Sequence, residues 1–167
     1  EALFKALPDV PKADIVWRNV KTGEVAVWLM NGGIIGSSGL LGGVPSDWKI
    51  VGVGDVNADS MADIVWRNTA SGAVAVWFLN GLTIASVSFP GSASLDWVIK
   101  GVRDMDGNGR ADIIWHNAES GAVSVWLMDG PTISAFRALG GVPLDWQIVG
   151  TGDVNANGQA DVVWRHN

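Results

Sequence analysis

The sequence "ADIVWRN" at residues 62–68 decides the fold, because it recurs at a fixed interval along the chain. The same letters stand at residues 13–19, and near copies, "ADIIWHN" and "ADVVWRH", stand at residues 111–117 and 160–166. The four tryptophans of this series are therefore spaced 49 residues apart: Trp17, Trp66, Trp115 and Trp164. Such a period is the signature of a repeat architecture, in which each unit buries its apolar surface against its neighbours.

Two further tryptophan series share the same 49-residue period. The segments "VAVWLMNG", "VAVWFLNG" and "VSVWLMDG" carry Trp28, Trp77 and Trp126. The segments "DWKIVG", "DWVIKG" and "DWQIVG" carry Trp48, Trp97 and Trp146. Chance does not produce three interleaved series with one period, and the copies differ in detail, so the pattern indicates duplication followed by drift.

Each unit has the composition of short β-strands. In one unit the runs are "DWKIVGVGD", "DIVWRN", the alternating "GAVAVWFLNG" and "LTIASVSF", separated by turn dipeptides such as "SG" and "NG". No segment keeps a period of 3.6 residues, so little helix is expected. Four short strands in about 50 residues predict one blade of a β-propeller, with a β-sandwich as the alternative.

The sequence therefore predicts an all-β protein made of propeller blades, each with four antiparallel strands, and about three and a half blades in the chain. We interpret residues 1–167 as a single repeat domain, in which "ALFKALPD" at residues 2–9 is a decayed first strand. The predicted blades span about residues 2–42, 47–91 and 96–141, with a half blade at about 145–167.

A half blade leaves strand edges unpaired, and such edges favour pairing with another chain. We therefore expect self-association, most simply a homodimer whose ring has about seven or eight blades. The alternative is that further blades of a longer propeller complete the ring.

An acidic loop separates the first two strands of each unit. It reads "DVNADSMAD" at residues 55–63, "DMDGNGRAD" at 104–112 and "DVNANGQAD" at 153–161. Side chains with oxygen atoms occupy loop positions one, three, five and nine each time: Asp55, Asn57, Asp59 and Asp63; Asp104, Asp106, Asn108 and Asp112; Asp153, Asn155, Asn157 and Asp161. A tightly curled loop directs alternate side chains toward one centre, and Gly109 and Gly158 at position six permit the sharp turn.

Two interpretations of these loops remain open. Calcium is a hard cation that takes six to eight oxygen ligands at roughly 2.3–2.6 Å, and the backbone carbonyl at position seven would add one more oxygen: that of Met61, Arg110 or Gln159. The alternative is a polar turn whose carboxylates accept hydrogen bonds only from backbone amides. An EF-hand is excluded, because its position-twelve glutamate is replaced by a tryptophan inside the next strand.

The spacing D-x-[DN]-x-[DN]-G-x-x-D before a strand, repeated with each blade, resembles the FG-GAP/VCBS repeat of integrin-α-like β-propellers. The resemblance implies three structural calcium ions, held by the loop residues named above, and a secreted or cell-surface protein, in bacteria, that acts in adhesion or ligand binding. Two departures matter. Ser60 replaces the usual glycine, which predicts strain or weaker affinity, and the shortened first loop "DVPKAD" at residues 9–14 is not expected to hold a metal.

Composition excludes several function classes. The formal net charge is −6, and no basic stripe is present for binding nucleic acid. The chain has no cysteine, so neither disulfides nor thiolate metal sites are possible. No apolar run is long enough for membrane insertion.

The sequence also lacks nucleophile, metalloprotease and phosphate-loop motifs, so we expect no enzymatic activity. His116, which replaces Arg18 and Arg67 of the other copies, and His166 are both interpreted as exposed strand residues.

Binding is the expected activity, with a glycan or a surface protein as ligand. The leading interpretation is an adhesion or ligand-binding scaffold. A lectin with repeated sites between blades is the second interpretation, because indole rings stack on sugars; its candidate residues are Trp48, Trp97 and Trp146. A third interpretation is an accessory domain of a secreted hydrolase.

Overall fold

The computed structural model describes residues 14–167, which form 13 β-strands and no helix. Every strand pair is antiparallel, and the sheets repeat along the chain, so the predicted all-β fold of propeller blades is confirmed. The strand predicted at residues 2–9 lies outside the described residues. Within residues 14–167 no helix is long and apolar enough to cross a membrane.

The chain divides into two compact units, Glu1–Pro45 and Ser46–Asn167. The described part of the first unit is a three-stranded sheet in the order β1-β2-β3. Its strands are β1 (Ile15–Arg18), β2 (Glu24–Asn31) and β3 (Ile34–Gly43). They correspond to strands two, three and four of the repeat.

The second unit contains two complete blades and a half blade. The first complete blade has the order β4-β5-β6-β7, with strands Trp48–Gly54, Asp63–Asn68, Ala73–Asn80 and Thr83–Ser92. The second complete blade has β8 to β11 in the same arrangement, with strands Trp97–Arg103, Asp112–Asn117, Ala122–Asp129 and Thr132–Gly141. The half blade pairs β12 (Trp146–Gly152) with β13 (Asp161–His166).

The second strand of each complete blade lies in the core. All residues of β5 and β9 are buried, as expected for an apolar strand covered on both faces. Trp66 and Trp115, which define the repeat, are among the largest fully buried side chains. Each packs against the tryptophan of its third strand, with ring centroids 4.9 Å apart for Trp66–Trp77 and 4.7 Å apart for Trp115–Trp126.

The two complete blades share one hydrophobic core. Val74, Val76 and Phe78 of β6 contribute to it from one side, and Trp115 and Trp126 contribute from the other. Burial of such large side chains against each other is the main favourable term for stacking blades.

The first strands of neighbouring blades lie close together, and glycine makes this possible. A Cβ atom on Gly52 would overlap the side chain of Val102, and one on Gly101 would overlap that of Thr151. This close approach brings the loops that follow the first strands next to one another.

Candidate metal centre

Loop 104–112 brings three carboxylates together. Oxygen atoms of Asp104, Asp106 and Asp112 all lie within 4.8 Å of one another, and within residues 14–167 this convergence is found only in this loop. None of the three forms a salt bridge with a described residue. Among the described residues, three carboxylates therefore converge without a salt bridge to balance their charge.

Asp104, at loop position one, holds the curl of the loop. Its Oδ1 accepts hydrogen bonds from the N–H groups of Asp106, Gly107 and Asn108 at 3.2, 2.7 and 3.3 Å. Its Oδ2 accepts one from the N–H of Gly109 at 2.7 Å. Four amide donors around one carboxylate fix its orientation and partly stabilise its charge.

The side chains at positions three and five continue this pattern. Asp106 Oδ1 accepts a hydrogen bond from the N–H of Asn108 at 3.2 Å, and Asn108 Oδ1 accepts one from the N–H of Arg110 at 2.7 Å. These are Asx turns, the contacts expected from the alternative interpretation. They do not exclude a cation, because a carboxylate oxygen has a second lone pair available.

Asp112, at position nine, is fully buried and joins the loop to the sheet. Its Oδ2 accepts a hydrogen bond from the N–H of Met105 at 2.9 Å, and its Oδ1 accepts one from the N–H of Met128, in β10, at 2.8 Å. Burial raises the pKa of Asp112 to about 6; the two amide bonds oppose this shift, and the charges of Asp106 and Asp104 add to it. The sequence predicted a ligand here but not this bridge between loop and strand.

Asp63 has the same role in loop 55–63. It accepts hydrogen bonds from the N–H groups of Val56 at 2.9 Å and Leu79 at 3.1 Å. Its pKa is also raised to about 6, first by burial and to a smaller extent by the charges of Asp59 and Asp55, against the two amide bonds. In loop 153–161, Asp161 Oδ2 accepts a hydrogen bond from the N–H of Val154 at 2.9 Å.

Loop 55–63 is curled by Asp55, whose two carboxylate oxygens accept hydrogen bonds from the N–H groups of Asp59 at 3.1 Å and Ser60 at 2.8 Å. It differs from loop 104–112 at position three. In loop 55–63 the side-chain amide of Asn57, at that position, donates a hydrogen bond to Asp59 Oδ2 at 2.9 Å, so part of the charge of the Asp59 carboxylate is already satisfied within the loop.

Loop 153–161 is curled in the same way by Asp153. Its Oδ1 and Oδ2 accept hydrogen bonds from the N–H groups of Asn157 at 3.0 Å and Gly158 at 2.8 Å. Asn155 Oδ1 also accepts from the N–H of Asn157 at 3.0 Å, and Asn157 Oδ1 accepts from that of Gln159 at 2.8 Å. The loop has the same form but only two carboxylates among the four oxygen side chains.

All three loops use left-handed backbone at positions four and six. The residues with positive φ are Gly107 (80°) and Gly109 (83°), Ala58 (63°) and Ser60 (69°), and Ala156 (60°) and Gly158 (84°). The strain predicted for Ser60 is therefore present, since a residue with a Cβ rarely adopts this conformation. The sequence did not predict left-handed backbone at position four, because two of the three loops have alanine there.

A line of backbone hydrogen bonds connects the loops. The peptide between residues 110 and 111 donates the N–H of Ala111 to the carbonyl of Asp55 at 2.6 Å. The peptide that accepts this bond joins residues 55 and 56, and its own N–H, that of Val56, donates to the carboxylate of Asp63. The pattern repeats one blade later, where Ala160 donates to the carbonyl of Asp104 at 2.7 Å and Met105 donates to Asp112. Position eight of loops 104–112 and 153–161 is thus bonded to position one of the loop before it.

The donor set fits a hard divalent cation. The convergent groups of loop 104–112 are three carboxylates, whose donor atoms are all oxygen, and no cysteine exists in the chain. Oxygen-rich sites of this kind suit calcium rather than zinc or copper. The position-seven carbonyls of Met61, Arg110 and Gln159 stay predicted ligands.

The tryptophans predicted to bind ligands differ in exposure. Trp97 is half-buried against the core between the complete blades, and Trp48 is half-buried with its ring edge-on to Phe89, at a centroid distance of 6.2 Å. Trp146 is exposed, at 37% of its surface. Ligand binding by these residues stays a prediction.

The aspartates beside these tryptophans have structural partners. Asp47 and Asp96 accept hydrogen bonds from the side-chain amides of Asn68 and Asn117, respectively. Asp145 instead pairs with His166, which replaces the asparagine, at 2.9 Å. These contacts tie the start of the first strand to the end of the second.

The interpretation of His116 as an exposed residue is wrong. Its side chain is buried and lies edge-on to Trp164, with ring centroids 5.7 Å apart. Burial lowers the pKa of His116, and the charge of Lys100 lowers it further. His116 therefore packs between the second complete blade and the half blade.

Arg67 occupies the position of the repeat that His116 occupies one blade later, and it too lies in the core. It is buried and donates hydrogen bonds to the carbonyls of Gly72, Ala93 and Ser94. Its guanidinium carbon lies 4.8 Å from the centre of the Trp115 ring, within the range of a cation–π interaction. Simple hydrophobic patterning misses such residues, because charge is not expected in a core.

The fold and its loops define a class: a partial β-propeller whose repeated blades carry acidic loops. Residues 104–164 match a model of the FG-GAP-like repeat family, so the resemblance predicted from the sequence is confirmed over this segment. The match begins at Asp104 and ends at Trp164, and it includes the loop in which three carboxylates converge. A search of curated proteins found no match.

Proposed function

We propose that this chain is a calcium-stabilised β-propeller module of a secreted or cell-surface protein, and that it serves as a binding scaffold. The observation that carries the proposal is the convergence of Asp104, Asp106 and Asp112 without a compensating positive charge. The family match over the same residues supports it. Calcium would supply positive charge at the centre of each loop and so relieve repulsion among carboxylates.

A structural role for the ion follows from the energetics. Extracellular modules commonly hold calcium with a Kd of about 10⁻⁴–10⁻³ M. At millimolar calcium, a Kd near 10⁻⁴ M stabilises the folded state by roughly 1.4 kcal/mol per site. Three sites would together contribute about 4 kcal/mol, which is a large share of the net stability of a domain.

A scaffold is favoured over an enzyme by the contacts of the candidate groups. The carboxylates at position nine are tied to backbone amides, as Asp63 and Asp112 are. His116, which could otherwise act as an acid or base, is buried in packing between sheets. These groups serve the fold, and the surfaces of the blades are left for binding.

Thermal unfolding with and without calcium tests the proposal. The midpoint should rise by several degrees when calcium replaces EGTA, and Asp106→Asn should reduce the rise because it removes one ligand charge. Glu119→Gln is a matched control, since Glu119 is an exposed acid on the same blade outside the loop. An unchanged midpoint in the unsubstituted protein would contradict calcium stabilisation.

Sugar binding is a second candidate function, and the exposed ring of Trp146 supports it. Its ring packs against that of His166, with centroids 5.2 Å apart, and the part of the indole that stays exposed can contact a sugar ring. A glycan array probed in calcium should then give signals that Trp146→Ala abolishes. A blank array would leave the scaffold proposal without a glycan ligand.

We also propose that the half blade is an interaction surface. Leu144, Val149 and Val163 are exposed by 53%, 52% and 43% there, and the outer edge of β13 has no paired strand among residues 14–167. A second copy of the chain, or further blades of a longer propeller, would cover it. Light scattering separates these cases, because a monomer at micromolar concentration rules out the second copy.

A further inference from the structure

One position in strand two of the repeat holds arginine in three sheets and histidine in the other. Arg18, Arg67 and Arg165 occupy it in β1, β5 and β13, and His116 occupies it in β9. Arg67 and His116 are both buried. The two complete blades therefore bury different chemistry at the same place: a guanidinium that stays charged, and an imidazole that titrates near neutral pH.

The arginine bonds strand two to the loop that follows strand four. Arg67 donates hydrogen bonds to the carbonyls of Ala93 at 2.7 Å and Ser94 at 3.0 Å. Arg18 donates in the same way to the carbonyls of residues 44 and 45, at 3.0 and 2.9 Å. These carbonyls stabilise the charge of the guanidinium, because they replace water that it loses on burial.

The Nε2 atom of His116 makes no such bonds. It is buried and has no hydrogen-bond partner among residues 14–167. The ring of His116 instead lies edge-on to that of Trp164 in β13, with centroids 5.7 Å apart. One blade earlier, the guanidinium of Arg67 lies over the ring of Trp115. An imidazole with an unpaired nitrogen thus takes the place of a hydrogen-bonded cation between the second complete blade and the half blade.

The surroundings of His116 disfavour a positive charge on its ring. The residues paired with it in β8 and β10, and the ring that contacts it from β13, carry no charge: Val98, Val123 and Trp164. Burial lowers the pKa of His116 below its ordinary value of 6.5, and the positive charge of Lys100, in β8, lowers it further. Arg165 follows Trp164 in β13, so alternation places it on the opposite face of that strand.

The carboxylates at the same end of the blade do not balance a proton on this histidine. The side chains of Asp96 and Asp145 are bonded to Asn117 and His166, respectively. Glu119, in the turn after β9, is exposed. In the part of the chain that the structure describes, no carboxylate forms a salt bridge with the ring of residue 116.

We propose that His116 makes the contact between the second complete blade and the half blade acid-sensitive, so that this contact loosens when the imidazole takes up a proton. The ring binds a proton more readily once it is released to water than while it is buried, so acid favours the loosened form. The contact has its full strength above about pH 6.5 and weakens as the pH falls. The contact made by Arg67 is unaffected, because a guanidinium does not titrate in this range. This device goes beyond the proposed scaffold function and does not require calcium.

Proton NMR of the histidine rings tests the first step. The two ring resonances are assigned by their loss in His116→Gln and His166→Asn. In metal-free buffer the resonance of His116 should titrate below pH 6.5, because the folded protein resists protonation there. Titration of His116 at or above pH 6.5 overturns the proposal.

Hydrogen exchange measured by mass spectrometry tests the second step. Between about pH 7 and pH 5 in EGTA, exchange in β12 and β13, relative to β5 in the same sample, should speed up several-fold. The ratio removes the intrinsic pH dependence of exchange. His116→Arg and His116→Gln should both abolish the response, the first by restoring the residue of the other copies and the second by keeping a neutral side chain.

The matched control is His166→Asn, which replaces the exposed histidine of the half blade by the residue found in the other copies. It should keep the acid response, because His116 is unchanged. The acidic loops are the same in every variant, so their titration does not distinguish them. A response that is absent from the unsubstituted chain, that persists in both His116 variants, or that only His166→Asn removes overturns the proposal.

Discussion

Loops 55–63 and 104–112 place oxygen side chains at the same positions but do not reach the same geometry. Loop 104–112 has glycine at both left-handed positions, and its three carboxylates converge. Loop 55–63 has Ala58 and Ser60 there, and Asn57 is bonded to Asp59 within the loop. The comparison teaches that side-chain spacing determines which groups can become ligands, whereas the backbone determines how closely they approach.

The largest effect on stability is expected at position nine, where both loops have a buried aspartate, Asp63 or Asp112, that bonds to the adjacent strand. Asp112→Ala should lower the free energy of unfolding by about 4 kcal/mol even without calcium, because it leaves the buried N–H groups of Met105 and Met128 without an acceptor. Asp106→Ala, on the exposed side of the same loop, should change the metal-free stability by less than about 0.5 kcal/mol. Urea unfolding in EGTA measures both. Equal losses would show that position nine has no special structural role.

The raised pKa values of Asp63 and Asp112 predict the pH dependence of the metal-free protein. Both rise from 3.8 to about 6, so between these values the folded state holds protons that the unfolded state has released. Stability should therefore fall as the pH rises from about 4 to 6, by on the order of 3 kcal/mol per carboxylate, and level off above.

Urea unfolding between pH 4 and 7 in metal-free buffer checks this. Asp112→Asn should remove about half of the fall, because Asp63 still titrates, whereas Asn at the exposed Asp106 should reduce it only slightly, because burial contributes more than the charge of Asp106 to the raised pKa of Asp112. In saturating calcium the fall should be reduced, because the ion favours the ionised carboxylates. A profile that rises with pH in the metal-free protein would contradict the assignment.

Within residues 14–167 the sequence was sufficient to predict the strands and the loops, because each is carried by a pattern that recurs every 49 residues. It was not sufficient for position four of the loops. Ala58 and Ala156 give no sign that the backbone is left-handed there, since glycine marks this position only in loop 104–112, as Gly107. It also missed the dual role of Asp63 and Asp112, because hydrogen bonds to a distant strand depend on tertiary structure.

A reciprocal exchange at position six sharpens the comparison of the two loops. Ser60→Gly should raise the free energy of unfolding by about 1 kcal/mol by removing left-handed strain, and Gly109→Ser should lower it by a similar amount. No described atom lies within 4 Å of a Cβ atom placed on Gly109, so strain and not collision accounts for the loss. Denaturant midpoints of the two variants measure it, and effects of the same sign would refute the explanation.

The smallest effect concerns loop 153–161, which has two carboxylates. Asn157→Asp adds a third and should raise the calcium affinity of this loop a few fold, with little change in metal-free stability because the residue is exposed. The amide shift of Gly158, whose N–H is bonded to Asp153, reports on this loop alone in a calcium titration. Unchanged affinity would indicate that charge is not limiting there.

The sequence also gave an incomplete picture of the core. The tryptophans were recognised as repeated, but the partners of Arg67 and His116 were not, because a basic residue in a strand is normally assigned to the surface. Only the structure shows that the guanidinium of Arg67 lies over the ring of Trp115 and donates hydrogen bonds to the carbonyls of Ala93 and Ser94.

The N–H of Ala160 donates to the carbonyl of Asp104, and the N–H of Ala111 donates to the carbonyl of Asp55, so two pairs of neighbouring acidic loops are joined by equivalent backbone hydrogen bonds. Loop 153–161 is therefore bonded to the peptide that carries the carbonyl of Asp104 and the N–H of Met105, and that N–H is in turn bonded to Asp112. The sheets of the second unit are therefore joined twice, by apolar side chains in the core and by backbone hydrogen bonds between the acidic loops, and the second junction lies beside Asp63 and Asp112, whose pKa values are raised.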